Sequence, residues 1–188
     1  MIDLRQRELK NTIRINNQDF KINTDYRVWL KFVIEFENWI NEGAISDIDI
    51  SYIFKGSLPI FTSGDDYKSI LEFAFPKSEL PYENNEERER TLYLEYDMDY
   101  IFAAFLQAYD IDLTEVNMHW YKFRALLQAL PEKTMLSQIM SYRAYTGHEN
   151  SKDEKEIYSK LKDLWTPRPK PTKQELKAEE EFEKYFDV

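Results

Sequence analysis

One stretch of the sequence, residues 97–143, restricts the fold more than any other. Its apolar residues recur at intervals of three and four, the spacing that puts side chains on one face of an α-helix. Three such stripes follow one another with short joints between them, which predicts three consecutive helices running roughly antiparallel to their neighbours. The stripes comprise Met98, Ile101, Phe102, Phe105, Leu106 and Tyr109, then Val116, Trp120, Phe123, Leu127 and Leu130, then Met135, Leu136, Ile139 and Met140.

The joints carry residues that start and stop helices. Asp97 is expected to cap the first helix and Thr114 the second, because a side-chain oxygen can accept from the free N–H groups of a first turn. Pro131 is expected to end the second helix and to occupy the first turn of the third, where its missing N–H is not needed. The stretch is therefore predicted to be a packed helical core, with no catalytic group on its apolar stripes.

The N-terminal part predicts a small β-hairpin followed by a long helix. Residues 12–15 and 20–23 are β-branched or alternating segments, and the Asn and Asp residues between them tolerate turn geometry. The following helix carries Trp29 in a wide apolar face and is expected to end near Gly43. Tryptophan on such a face indicates packing more often than a ligand site.

Residues 44–81 are less regular, and their first part leaves two interpretations open. Residues 45–54 alternate weakly and then form an apolar run, which is compatible with a strand or with a short helix. Further on, Asp65 or Asp66 is expected to cap a helix that ends at Pro76.

The polar run 81–91 is the clearest change of composition in the chain. We expect an N-terminal hairpin and helices over residues 1–90, packed as one domain with a helical core over residues 91–165. Residues 166–188 then form a spacer and a terminal helix. The predicted fold class is mainly α: a helical bundle with a small N-terminal β-hairpin and a C-terminal helix on a Pro-rich spacer.

The C-terminal part contains the candidate partner-binding residues. Ser151 and Glu154 have the capping-box spacing and open a helix, and prolines at 167, 169 and 171 then make a stiff, extended spacer. The terminal helix beyond the spacer is expected to dock on a partner or on a neighbouring copy through its few apolar residues, with a frayed tail as the alternative. The candidate residues are Trp165, Leu176, Phe182, Tyr185 and Phe186.

Composition excludes several classes of function. The chain contains no cysteine, which excludes disulfides, thiolate chemistry and Cys-ligated zinc. No apolar run reaches the roughly 18 residues of a membrane span, and the charged N-terminus lacks a signal core, so we expect a cytoplasmic protein with no membrane partner. A formal net charge of −10 repels phosphate backbones and argues against a nucleic-acid partner.

No catalytic residue, metal ligand or cofactor is assigned from the sequence. Four glycines leave no phosphate-cradling loop, and the only histidines, at 119 and 148, lack the spacing of a zinc-protease helix. The acids at 47, 49, 65 and 66 do not continue into a calcium-binding loop. His119 is expected to be a hydrogen-bonded residue at the edge of the apolar stripe.

Two arginines, Arg124 and Arg143, flank apolar stripes of the core helices. A guanidinium close to a core needs a carboxylate partner, because an unpaired buried charge is costly. We predict that Arg143 pairs with Asp97 or Asp99, and that this pair fixes the register of the three helices.

These same residues carry a family resemblance. The chain resembles the gene-product-fifteen family of long-tailed phages and prophages of Gram-positive bacteria. The resemblance rests on the pattern D-x-D-x-I-x-x-A-F at 97–105, Y-x-I-D-L at 109–113 and M-H-W-Y-K-F-x-A-L-L-x-x-L at 118–130. S-Y-R at 141–143 and D-Y-R-V-W-L-K-F at 25–32 fit as well. Where family members have two tryptophans after the histidine, this chain has Trp120 and Tyr121. The motif residues singled out are Arg27, Trp29, Asp97, Asp99, His119, Trp120, Phe123 and Arg143.

The resemblance implies a non-enzymatic tail assembly chaperone that coats the tape-measure protein, with the tail-tube protein as a second partner and self-association into oligomers. Such a protein would act in the host bacterial cytoplasm during virion assembly. One alternative is an acidic DNA mimic or a phage protein that binds a host factor, and another is a metal-dependent enzyme. In many places acids alternate with Lys and Arg, which argues against DNA mimicry.

Overall fold

A computed structural model gives the structure of residues 2–42, 48–76, 89–147 and 151–168, and of residue 182. Within these residues the chain has six α-helices and one two-stranded antiparallel sheet, which confirms the predicted mainly α fold with an N-terminal hairpin. The elements are β1 (Thr12–Ile15), β2 (Gln18–Lys21), α1 (Tyr26–Glu42), α2 (Lys68–Ala74), α3 (Met98–Tyr109), α4 (Trp120–Gln128), α5 (Met135–Arg143) and α6 (Lys152–Trp165). Apart from Phe182, the predicted terminal helix lies outside the described residues.

The hairpin closes through a two-residue turn. Asn16 and Asn17 have φ angles of 50° and 62°, the left-handed conformation that a type I′ turn requires and that asparagine tolerates. Ile13 lies opposite Phe20 in the pairing, and both side chains are buried. The predicted hairpin is confirmed, but its second strand begins at Gln18, because the two asparagines alone make the turn.

The first helix brings a large ring into the core. Trp29 is fully buried, its indole N–H donates to the carbonyl of Asn23 at 2.6 Å, and its ring centroid lies 4.4 Å from that of Phe73. These contacts confirm that Trp29 serves packing. The apolar face of α1 reaches solvent near its end, where Trp39 is 38% exposed.

The segment ahead of α2 is irregular. Ser51–Ile53 forms a short 3-10 helix, which fits the short-helix interpretation for these residues, and Phe54 after it makes an isolated β-bridge with Ile22. Residues 45–47 lie outside the described residues. A second 3-10 turn, Gly64–Tyr67, leads directly into α2, and its N-cap is Ser63. The predicted cap at Asp65 or Asp66 is therefore wrong, because Asp66 occupies the third position of a capping box that Ser63 opens.

The second core helix is shorter than its apolar stripe. The helix α4 begins at Trp120 because the residues just before it pair with the chain around the start of α1. The N–H of Tyr26 donates to the carbonyl of Met118, and the N–H of Trp120 donates to the carbonyl of Thr24. The predicted cap at Thr114 is wrong, since this non-local pairing keeps the residues just before Trp120 out of the helix.

Pro131 lies in the turn between α4 and α5. The N–H of Thr134 donates to the carbonyl of Pro131 at 3.0 Å, and the hydroxyl of Thr134 caps α5 by accepting from the N–H of Ser137. The expected place of Pro131 in the first turn of α5 is wrong, because residues 132–134 intervene. Thr134 is fully buried, so this cap belongs to the core.

The last described helix, α6, lies against α5 and has no buried residue. Its N-cap is Ser151, as predicted, which accepts from the N–H of Glu154 at 3.1 Å. The hairpin and helices α1–α5 share one buried apolar cluster. None of the helices in the described part of the chain has the length and apolar content that crossing a bilayer requires.

Candidate functional site

The most polar feature of the core is an ion pair between α3 and α5. The guanidinium of Arg143 donates to both carboxylate oxygens of Asp97, with Nη1–Oδ2 at 2.6 Å and Nη2–Oδ1 at 2.9 Å. The two side chains are 4% and 1% exposed. Two bonds of this kind match the planar fork of arginine to a carboxylate. The predicted pairing of Arg143 is confirmed, with Asp97 as its partner, whereas Asp99 is exposed.

Arg143 also binds two backbone carbonyls. Its Nε donates to the carbonyl of Trp165 at 2.8 Å, and its Nη1 donates to the carbonyl of Thr91 at 2.9 Å. The guanidinium carbon lies 5.0 Å from the ring centroid of Tyr93. One side chain therefore joins α5 to the start of α3, to the segment before α3 and to the last residue of α6. We call this set of contacts the Arg143 junction.

Asp97 occupies the N-cap position of α3 without capping it through its side chain. Its carboxylate accepts from the N–H of Tyr93 at 2.9 Å and from Arg143. The predicted side-chain cap is wrong because the carboxylate turns toward the buried guanidinium, which offers stronger, charge-assisted hydrogen bonds. The Asp97 side chain therefore links α3 to α5 and does not cap the N-terminus of α3.

Arg27 forms a second junction at the start of α1. Its Nη1 pairs with Asp25 at 3.3 Å, and its Nη2 donates to three carbonyls of the loop between α3 and α4. The neighbouring hydroxyl of Tyr26 donates to one of the same carbonyls. These carbonyls belong to Leu113, Thr114 and Val116, at 2.6, 3.2 and 3.1 Å from Nη2. The α3–α4 loop is thereby held on the first turn of α1.

His119 is the N-cap of α4. Its Nδ1 accepts from the N–H of Tyr121 at 3.0 Å, so its proton is on Nε2, which donates to the carbonyl of Lys10 at 2.9 Å. Burial lowers the pKa of His119, which favours this neutral form. The predicted hydrogen-bonded edge position is confirmed. The imidazole links the N-terminal segment to α4 with both ring nitrogens engaged.

Trp120 and Phe123 extend from this cap into the core. The indole N–H of Trp120 donates to the carbonyl of Ala74 at 3.0 Å, which ties α4 to α2. Phe123 is fully buried and stacks on Phe105, with ring centroids 5.1 Å apart, which ties α4 to α3. Both motif residues are packing residues in this structure.

Arg124 lies half-buried beside this cluster. Its Nη1 donates to the carbonyl of Ala74 at 3.2 Å, and its guanidinium carbon lies 5.8 Å from the ring of Trp120. Burial lowers the pKa of Arg124 and raises that of its neighbour Tyr121 to about 12, so the Tyr121 hydroxyl is protonated at neutral pH.

Two of the acids that could suggest a metal site, Asp49 and Asp66, serve as turn and cap residues. Asp49 accepts from the N–H of Ser51. Asp66 accepts from the backbone of Thr62, which lowers its pKa, and also from the side chain of Asn16. An open cavity of about 410 Å³ adjoins Asp66 and the hairpin turn, and its lining is polar. Asp47 lies outside the described residues, among which no cluster of three or more His, Asp or Glu is placed to hold a metal ion.

The apolar side of α6 is divided between the body and solvent. Tyr158 packs on Tyr145, with ring centroids 5.5 Å apart, and Trp165 packs edge-on against Tyr100 at 5.7 Å. The other apolar residues turn outward: Ile157 is 56% and Leu164 73% exposed, with the half-buried Leu161 between them. We call Ile157, Leu161 and Leu164 the α6 stripe.

The candidate partner-binding residues fall only partly within the described chain. Trp165 is half-buried at the Arg143 junction, and Phe182 is in helical conformation and 63% exposed. Leu176, Tyr185 and Phe186 lie outside the described residues. Partner binding by these five residues stays a prediction.

The sequence profile of one protein family, described as Bacteriophage Gp15 protein, matches residues 6–166. The chain belongs to this family. The match confirms the resemblance carried by the sequence motifs, and it indicates a structural or assembly protein of a bacteriophage. No curated protein and no solved structure matches the chain.

The Gp15 match covers Arg27 and both members of the buried pair, Arg143 and Asp97. It ends at residue 166, directly after α6, so the predicted terminal helix lies beyond it. In this chain the matched region contains the two arginine junctions and the whole shared core.

Proposed function

We propose that this chain is a non-enzymatic tail assembly protein that acts as a chaperone for the phage tape-measure protein, with the tail-tube protein as a second partner. The observation that carries the proposal is the Gp15 family match over residues 6–166. Its place of action would be the host cytoplasm, where the tail is assembled.

The polar groups of the described core support a scaffold role over a catalytic one. The buried guanidinium of Arg143 and the carboxylate of Asp97 neutralise each other, and Arg143 also donates to main-chain carbonyls. Both ring nitrogens of His119 are engaged in holding α4 and the N-terminal segment together. These groups are committed to the architecture, as expected for a chain whose task is to bind other chains.

Exposed apolar side chains near the C-terminus support binding of a polypeptide. A tape-measure helix with an uncovered apolar stripe would aggregate unless another apolar surface covered it. Phe182 is exposed, and Tyr185 and Phe186 follow it at helical spacing, as in helices that dock in apolar grooves. A net charge of −10 would keep the resulting complex in solution.

The test is co-expression with the tape-measure protein encoded by the same phage genome. We expect the tape-measure protein to be recovered in the soluble fraction in a complex with this chain, and the mass of that complex gives the stoichiometry. The double variant Phe182→Glu with Phe186→Glu should lose the complex, whereas Lys184→Glu, a charge change at a polar position between them, should retain it. A tape-measure protein that is equally soluble without this chain would contradict the chaperone role.

A further inference from the structure

We propose that the α6 stripe pairs with the same stripe of a second copy of the chain, with the two α6 helices antiparallel. The stripe consists of Ile157, Leu161 and Leu164 and lies on the outward side of a helix that has no buried residue. This inference concerns self-association and does not depend on the chaperone role.

The stripe is complementary to itself when one helix is reversed. Leu161 lies four residues after Ile157 and three residues before Leu164, which corresponds to about 6 Å and about 4.5 Å along the helix. A two-fold axis beside Leu161 therefore places Ile157 of each copy opposite Leu164 of the other, with a mismatch of only about 1.5 Å. Such an isologous contact closes at two chains.

The charges at the two ends of the stripe select the antiparallel direction. Asp153 and Glu154 are exposed in the first turn of α6, while Arg168 is exposed three residues beyond its last turn. Antiparallel pairing places the two acids of each copy beside Arg168 of the other and sets the helix dipoles in opposite directions. Parallel pairing would place acids beside acids, so the charge pattern fits a reversed second copy.

The flanks of the stripe do not oppose this pairing. Lys160 and Glu156 lie on one flank, and they form an ion pair within the helix at 2.7 Å. Three apolar residues from each chain form a contact well below the roughly 800 Å² per partner of a standard interface. The structure therefore assigns a weak dimer whose population rises with concentration.

Sedimentation equilibrium of the full-length chain, measured up to about 1 mM, tests the proposal at the concentrations where such a weak contact is populated. We expect a monomer–dimer equilibrium that the double variant Ile157→Glu with Leu164→Glu abolishes. Ser159→Glu, on the opposite face of the same helix, should leave the equilibrium unchanged. Because all three positions are exposed, circular dichroism should show the same helix content in every variant.

A charge exchange tests the antiparallel direction separately. Glu154→Arg or Arg168→Glu alone should weaken the dimer about tenfold. The two together should restore part of the loss, since positions 154 and 168 are again of opposite sign while Asp153 keeps its charge. A chain that stays monomeric throughout would overturn the proposal, as would a dimer indifferent to the stripe variants or one not restored by the exchange. A dimer lost in Phe182→Glu but kept in the stripe variants would assign the contact to the terminal segment and would also overturn it.

Discussion

The substitution Arg143→Met keeps most of the length of the side chain and removes the guanidinium that binds Asp97. The carboxylate of Asp97 is 1% exposed and would retain, among the described residues, only the N–H of Tyr93 as a donor. Breaking a buried pair by removing one partner costs about 3–5 kcal/mol, because it leaves an unpaired buried charge. We expect a loss of this size in the free energy of unfolding, a large fraction of the ~5–15 kcal/mol of a typical domain.

Urea denaturation at neutral pH, followed by tryptophan fluorescence and far-ultraviolet circular dichroism, measures this loss. Adding Asp97→Asn to the Arg143→Met variant should recover part of it. The amide carries no charge, yet its oxygen still accepts from the N–H of Tyr93. We expect the two changes to be non-additive by about 1 kcal/mol or more, as for residues in direct contact.

The matched control is Arg14→Met in the hairpin. Arg14 pairs with Asp19 through side chains that are 66% and 59% exposed, and exposed pairs contribute at most about 1 kcal/mol. An Arg143→Met variant no less stable than Arg14→Met would refute the reasoning. So would a double variant whose loss is the sum of the two single losses.

Three further changes test other contacts. Because burial lowers the pKa of His119 below the ~6.5 of an unfolded histidine, the unfolded state takes up its proton first as pH falls. The free energy of unfolding should therefore be unaffected by this group above about pH 6.5 and should decline below it. Urea unfolding between about pH 5 and 7 should show a shallower decline in His119→Asn. Asn17→Gly should stabilise the hairpin and Asn17→Ala should destabilise it by about 1 kcal/mol in thermal unfolding, since φ at Asn17 is 62°. Thr134→Ala should lose about 2 kcal/mol in the same assay, through loss of the α5 cap and of a buried methyl group. Thr134→Ser, which keeps the hydroxyl, should lose about 1 kcal/mol less.

Each of these has a clear contrary result. Equal pH dependence in the parent chain and in His119→Asn would show that protonation of this imidazole is not coupled to folding. An Asn17→Ala chain as stable as Asn17→Gly would mean that the left-handed conformation at this position is not required. A Thr134→Ser chain as unstable as Thr134→Ala would remove the hydroxyl cap as the cause.

Features set by neighbouring residues were predictable from the sequence. The paired asparagines mark the hairpin turn, Ser151 marks the start of α6, and apolar spacing marks the core helices. Features set by residues distant in the sequence could not be predicted in this way. The helix α4 starts at Trp120 because the backbones of Met118 and Trp120 bond to those of Tyr26 and Thr24 at the start of α1, which no local pattern reveals.

The contacts of Arg143 were partly predictable from the sequence, and those of Arg27 were not. The pair of Arg143 with an acid could be predicted, because a buried guanidinium is costly without a carboxylate, but two carboxylates fitted equally well. The same argument did not hold for Arg124, which is only half-buried and donates to the carbonyl of Ala74. Arg27 was singled out only by its place in a motif. Its acceptors are main-chain carbonyls, which every residue has, so composition gives no signal for them.

The hydrogen bond from Arg143 to the carbonyl of Trp165 has a consequence for sequence drift. Any of the twenty amino acids at that position would present the same acceptor, so substitution there alters only the ring contact with Tyr100. Side chains on the outer face of α6 can therefore be substituted while the hydrogen bond from Arg143 still holds the end of the helix. Related chains can therefore differ in what the outer surface of α6 binds and still keep the contact between Arg143 and α6.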